Sequence, residues 1–463
     1  MIFWKKLITV AALSTMLAVI YAGFAFGAVS PQEAAKLGGP VLTAFGAEKA
    51  GNKDGTIPPY TGGLTKAPAN YKMGSGIRPD PFAAESPLFS ISAQNMDQYA
   101  DKLGEGVKAL MKKYPSFHID IYKTHRTIAY PKWILDHTAQ NAIKAITTDG
   151  GLSLKGAFAG VAFPIPKTAY EVMWNHLTRF EGLAQEWILN PYSVDYSGKA
   201  SLVSTFRAWQ QFDFYNLKVK EADRDSCFYY MVKVEYLAPP RINGEWQMLK
   251  DPLNIYKTKR TAYQYLPGLR RVKLAPELDH DTPNLNGGGV ETFDDLWIFT
   301  GSMERYNWKL IGKKEIYVPY NSYKSNLATV AQFFHPNHPN PDLVRWELHR
   351  VWVVEATLMP GKRHVYHKRR IYIDEDSWSA VLDERYDAHG KLWKTGWTFI
   401  TPAYEYPTPL TTGHFNCDLV TSNYVVNPWI GKADTGQGFA ILMDKPFSER
   451  FWGPQSMGGV GIR

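Results

Sequence analysis

At about residue 200 the apolar pattern of this chain changes period, and few architectures accommodate both halves. Before that point Met96, Tyr99, Leu103, Val107, Leu110, Met111 and Tyr114 recur at helical spacing, with Ser92 as an N-cap and Pro115 as a stop. A second helix is predicted from Pro131, carrying Trp133, Ile134, Ala142, Ile143 and Ile146. The third has the clearest start, a capping box at Thr168-Ala-Tyr-Glu171, followed by the stripe Met173, Leu177 and Phe180. Beyond residue 200 the period is two. Strands are predicted at 201–212, 227–237, 262–266, 271–274, 314–320, 346–358, 364–373, 380–386 and 392–400. Turn clusters at 374–377 and 387–390 separate the last three, which predicts an antiparallel meander. In its final strand Trp393, Thr395, Trp397 and Phe399 share one face, so the sheet has a heavily aromatic side.

Helices followed by a long antiparallel sheet define an α+β class. The expected architecture is a large, curved, partly open sheet, a half-barrel covered by the helices. An aromatic concave face of that kind either encloses an apolar cavity or is filled by the chain itself. No strand–helix alternation and no fixed-period repeat is present. The chain divides into a leader at 1–28, an extended Pro/Gly-rich arm at 29–91, a helical segment at 92–200 and the β half-barrel at 201–463.

The leader has Lys5 and Lys6, then the apolar run from Leu7 to Ala22, then small residues to Ala28. That order reads as a secretory signal peptide cleaved after Ala25 or shortly beyond, with an uncleaved anchor as the alternative. No cysteine follows the run, which excludes lipid attachment there. Removing residues 1–28 takes two lysines and no acid from a net charge of +8. The remainder is too modest for a nucleic-acid signature. With 14% aromatic residues the chain is also far from a disordered composition. Cys227 and Cys417 are its two cysteines. In an oxidising compartment they either pair, which the chain-entropy model values at roughly 4–5 kcal/mol, or remain two buried thiols.

Catalytic patterns are weak. No G-x-S-x-G elbow, H-E-x-x-H helix, Walker loop or dinucleotide fingerprint occurs. Prolines break up His335-Pro-Asn-His338, strand geometry separates His364 from His367, and Asp279-His280-Asp281 lies in a loop. All three are expected to be solvated surface, with no metal and no cofactor. Asp294-Asp295 and Asp374-Glu375-Asp376 are expected to form turns rather than an acid–base pair. Basic clusters at 270–273, 313–314 and 368–370 are expected to be solvated or paired with neighbouring acids.

Several longer stretches resemble a known family. These are Ala47-Glu-Lys-Ala-Gly-Asn-Lys-Asp-Gly-Thr-Ile-Pro58, Asp80-Pro-Phe82, Phe163-Pro-Ile-Pro166, Trp174-Asn-His176, Gly301-Ser-Met-Glu-Arg-Tyr-Asn-Trp-Lys-Leu310 and Glu347-Leu-His-Arg-Val-Trp-Val-Val-Glu-Ala-Thr357. They are similar to a large Gram-negative periplasmic family of unknown function whose members are often labelled outer-membrane lipoprotein-sorting-like. Tyr263-Gln-Tyr-Leu-Pro-Gly-Leu-Arg-Arg-Val272 resembles a strand and turn of lipoprotein carriers, which hold acyl chains inside an unclosed barrel. The resemblance implies a periplasmic protein working beside a resistance-nodulation-division (RND) exporter and an outer-membrane β-barrel. It supplies no catalytic residues.

The expected function is therefore non-enzymatic binding or carriage of a lipid or other hydrophobic cargo between such an exporter and the outer membrane. Tyr265, Leu266, Trp297, Phe299, Trp352, Trp393 and Trp397 are the expected lining of its cavity. If the interior is solidly filled and no channel or apolar trough leads out, a structural adaptor bridging exporter and barrel becomes preferable, with the arm as its docking segment; lipid or ester hydrolysis is the third reading.

Overall fold

The computed structural model describes residues 28–433 and 436–458, so the leader up to residue 27 lies outside the described residues. The helices follow the sequence pattern with one break. Residues 96–113 form a 3-10 turn, Met96–Lys102, and an α-helix, Glu105–Lys113, separated at Leu103-Gly104. Gly104 is extended and caps the helix, and the Glu384 carboxylate accepts from the Glu105 N–H at 2.6 Å. An anion there complements the helix dipole. The helix buries Val107, Leu110 and Met111, and it approaches the sheet so closely that a Cβ on Gly106 would collide with the Thr395 side chain. Lys132–Lys144 follows Pro131, which stands at the N-cap. Ala169–Leu177 starts with the expected capping box between Thr168 and Glu171.

Two open antiparallel sheets carry the rest, confirming the α+β class. The larger has eleven strands. Its centre is the predicted meander, Lys368–Asp374, Ala380–Tyr386 and Leu392–Ile400, flanked by Arg345–Leu358 on one side and Thr411–Asp418 on the other. The smaller sheet has seven strands, running from Arg271–Leu274 at one edge to Phe439–Met443 at the other.

One bent hairpin joins the sheets. Ala184–Leu189 and Thr205–Gln211 pair in the smaller sheet, with Leu189 opposite Phe206. Their continuations, Tyr192–Val194 and Ala200–Leu202, pair in the larger, with Tyr192 opposite Leu202. Residue 200 lies within this hairpin, and residues of the arm pack into the body. Phe45, Ala47 and Ile57 are buried in the main core, and Arg78 is buried against Glu405 at 2.5 Å. Cys227 and Cys417 are both free and buried, one preceding a strand of the smaller sheet and one in the larger. The unpaired alternative holds.

Candidate functional site

Strand alternation sends Arg369, Arg385, Lys394, Asn416, His414 and Asn427 across one face of the larger sheet. Arg369 pairs with Arg385, Arg385 with Lys394, and His414 with Asn427 on adjacent strands. Arg369, Arg385 and Lys394 concentrate buried positive charge there, which requires counter-charges. The loop 290–299 supplies them. Arg369 donates to Asp294 at 3.0 Å and also to Asp295, while Arg385 approaches Asp295 at 3.1 Å and Asp383 at 2.7 Å. Asn416 and Asn427 each donate to Glu291 at 2.7 Å. Burial opposes ionisation of Asp294, yet Arg369 and His364 hold its carboxyl below the usual range. His176 fixes the end of the loop: Nε2 contacts the Phe299 carbonyl at 2.9 Å, and Nδ1 accepts from the Ala380 N–H at 3.0 Å. Burial pushes this imidazole down to about 3, so the ring is neutral.

Several surface expectations are corrected here. Asp294-Asp295 does lie in a turn, Phe293–Asp295, but both carboxylates are buried in an ion cluster. His364 is buried 2.9 Å from Asp294, His338 is buried 2.8 Å from the Ser116 hydroxyl, and His280 is buried near Glu304 and Asp279. Asp374-Glu375-Asp376 does form a turn, but all three carboxylates are buried. Apart from Asp279 beside His280, the partners come from other segments.

The seven residues expected to line one cavity lie in different surroundings. Tyr265 belongs to a small cluster with Trp246, Met248 and Trp452 on the smaller sheet, and Leu266 ends the same strand, half-buried. Trp297 packs on His414 and Phe299 on Trp308, both in the filled interior beside the ion cluster. Trp393 contacts Tyr366 and donates to Asp418 at 2.9 Å. Trp397 stacks on Phe415 at 3.9 Å on the opposite face of its sheet. Trp352 borders a sizeable open cavity.

That cavity is a surface groove of about 520 Å³, within the range of small-molecule sites. Trp352 and its cross-strand partner Lys313 form one side. Pro40, Val41, Leu42, Gly46 and Ala50 of the arm form another, and Pro164, Ile165 and Pro166 complete it. The arm reaches this position because Gly46 adopts a φ of +96° and because a Cβ there would collide with the Pro164 carbonyl. Trp378 donates to the Phe45 carbonyl at 3.1 Å, and Arg350 donates to the Ala50 carbonyl at 2.9 Å. The groove's polar edge is Lys313, which donates to Glu48 at 2.9 Å and to Glu375 at 2.7 Å. Burial lifts the Glu375 carboxyl to about 7 despite this contact. Among the described residues the lining holds no serine, cysteine or histidine.

Fold and groove define a class: an α+β protein on open antiparallel sheets, with an apolar groove walled by its own N-terminal arm. The family model "Protein of unknown function (DUF1329)" matches residues 90–457, and the chain belongs to that family. It is 39% identical over 406 residues to the uncharacterized protein PA3922 of Pseudomonas aeruginosa, covering 86% of this chain and 87% of the relative. Among solved structures it is similar to a DUF1329 family protein from Desulfovibrio piger, at 11% identity and a TM-score of 0.39. That match covers 60% of this chain and 92% of the other. It is also similar to the LolA superfamily protein NE2245 of Nitrosomonas europaea, at 13% identity and a TM-score of 0.36, covering 62% and 98%.

Proposed function

We propose that this is a non-enzymatic periplasmic protein that binds one lipid or other hydrophobic molecule in the groove beside Trp352. The observation that carries the reading is the groove itself: an apolar trough with an indole on one side, built from four separate segments and edged by charge. Burial is worth about 0.8 kcal/mol per methylene, so a partly covered acyl chain gains several kcal/mol there. The lining chemistry favours binding over hydrolysis. Among the described residues no helix is long and apolar enough to cross a membrane. The leader pattern supports export, and the family resemblance supports carriage between an RND-type exporter and the outer membrane.

The adaptor reading needs an arm free to reach a partner. Phe45, Ala47 and Ile57 are instead buried in the body, and the arm serves as a groove wall. Native mass spectrometry with lipid extraction of the purified mature chain tests the proposal. Recovery of one amphiphile per chain is expected; repeated recovery of empty protein, with no uptake of fluorescent fatty acids, would overturn it.

A further inference from the structure

We infer that His118, Asp120 and Asp342 form a binding site for one divalent transition-metal ion of the zinc type, separate from the groove. Asp120 lies in the short strand Ile119–Ile121, and His118 immediately precedes it, two residues back and hence on the same side. Asp342 comes from the turn Pro341–Leu343, more than two hundred residues later. The topology brings one donor atom from each within 4.8 Å of the others. His118 Nε2 lies 3.2 Å from an Asp342 oxygen and 3.7 Å from an Asp120 oxygen. Two ligands bonded to zinc at about 2.0–2.2 Å with tetrahedral angles sit roughly 3.4 Å apart, which falls between these two separations.

The donor set narrows the ion. Carboxylates alone suit magnesium and calcium, whereas adding an imidazole favours zinc and its neighbours. Three protein ligands leave a position for water, and the Asp342 side chain is 69% exposed, so solvent reaches the site. The Asp120 carboxylate is already oriented by the Ser90 hydroxyl, which donates to it at 2.5 Å. Outer hydrogen bonds of this type fix metal-ligating groups. The Asp342 turn is fixed too, since Lys324 donates to the Asp342 carbonyl at 2.7 Å and Asn340 accepts from its N–H at 3.2 Å.

The test is calorimetric titration of the untagged mature chain with zinc chloride and, separately, magnesium chloride. One saturable equivalent of zinc is expected, with no magnesium uptake at the same concentrations. Asp342→Asn and His118→Gln should each weaken zinc binding at least tenfold, and Ser90→Ala about tenfold. Zinc should also raise the melting temperature of the wild type but not of Asp342→Asn, whose exposed position leaves the fold intact. Absence of saturable zinc uptake, or uptake unchanged in Asp342→Asn and His118→Gln, would show that His118 and Asp342 form only an ion pair and overturn the inference.

Discussion

Lys313 stands 4.7 Å above the ring of Trp352, its partner on the neighbouring strand, and simultaneously grips Glu48 of the arm and Glu375 of the sheet turn. One ammonium thus ties the groove's aromatic wall to the wall formed by the arm. A cation over an indole face is worth about 0.5–1 kcal/mol at exposed sites and more when desolvated.

Gly46→Val should loosen the arm, because a side chain there meets the Pro164 carbonyl in a backbone region disfavoured for branched residues. Hydrogen exchange is expected to quicken at residues 40–50 while the meander at 368–400 stays protected. Unchanged protection of the arm would show that the contact does not hold it.

Glu375 gives a signed pH dependence. Its carboxyl is lifted from 4.5 to about 7 in the folded chain, so between those values the folded state holds a proton that the unfolded state has released. Stability from this group is present below pH 4.5 and is lost as pH rises through 7, by roughly 3 kcal/mol at most. His176, held near 3 by burial, acts oppositely: its contribution is lost as pH falls below 6.5. Urea unfolding at pH 5 and pH 7 should therefore show a more favourable change in stability on raising pH in Glu375→Gln than in the wild type. An equal change in both proteins would refute the assignment.

Asp295→Ala removes the shared counter-charge of Arg369 and Arg385, both fully buried. Leaving buried charges uncompensated costs about 3–5 kcal/mol. Lys132→Ala, which breaks an exposed pair with Asp136, should change stability by less than about 0.5 kcal/mol. Denaturant midpoints of the two variants, compared at one pH, check this contrast.

Cys227 and Cys417 should behave as inert thiols. Burial raises both, Cys417 to about 12, which suppresses the reactive thiolate. A thiol reagent should label neither in the native chain and both in denaturant. A mass two units below the reduced value would indicate a disulfide instead.

Legibility in the sequence followed exposure. Ala380–Tyr386 and Leu392–Ile400 were readable to the residue because turn clusters bound them. Thr411–Asp418 was not: its alternation is intact, but Gly413, Asn416 and Asp418 are residue types depleted in strands and weaken the signal. Trp246–Pro252 was hidden by a lysine, an aspartate and a proline within seven residues. The helical stripe from Met96 to Tyr114 was real, but Gly104 divides it. Adjacent acids such as Asp294-Asp295 resemble turn residues, and nothing local reveals that Arg369 and Arg385 meet them from more than seventy positions away. Trp352 was legible as an aromatic in a strand; its facing wall at residues 40–50 was not, since that contact spans about three hundred residues.

Photo-cross-linking with a diazirine fatty acid, followed by peptide mapping of the mature chain, tests the groove most directly. Adducts should concentrate on peptides containing residues 40–50, 164–166 and Trp352, and Trp352→Ala should reduce them severalfold. Adducts scattered over the surface, or confined to the smaller sheet and undiminished in Trp352→Ala, would contradict binding in this groove.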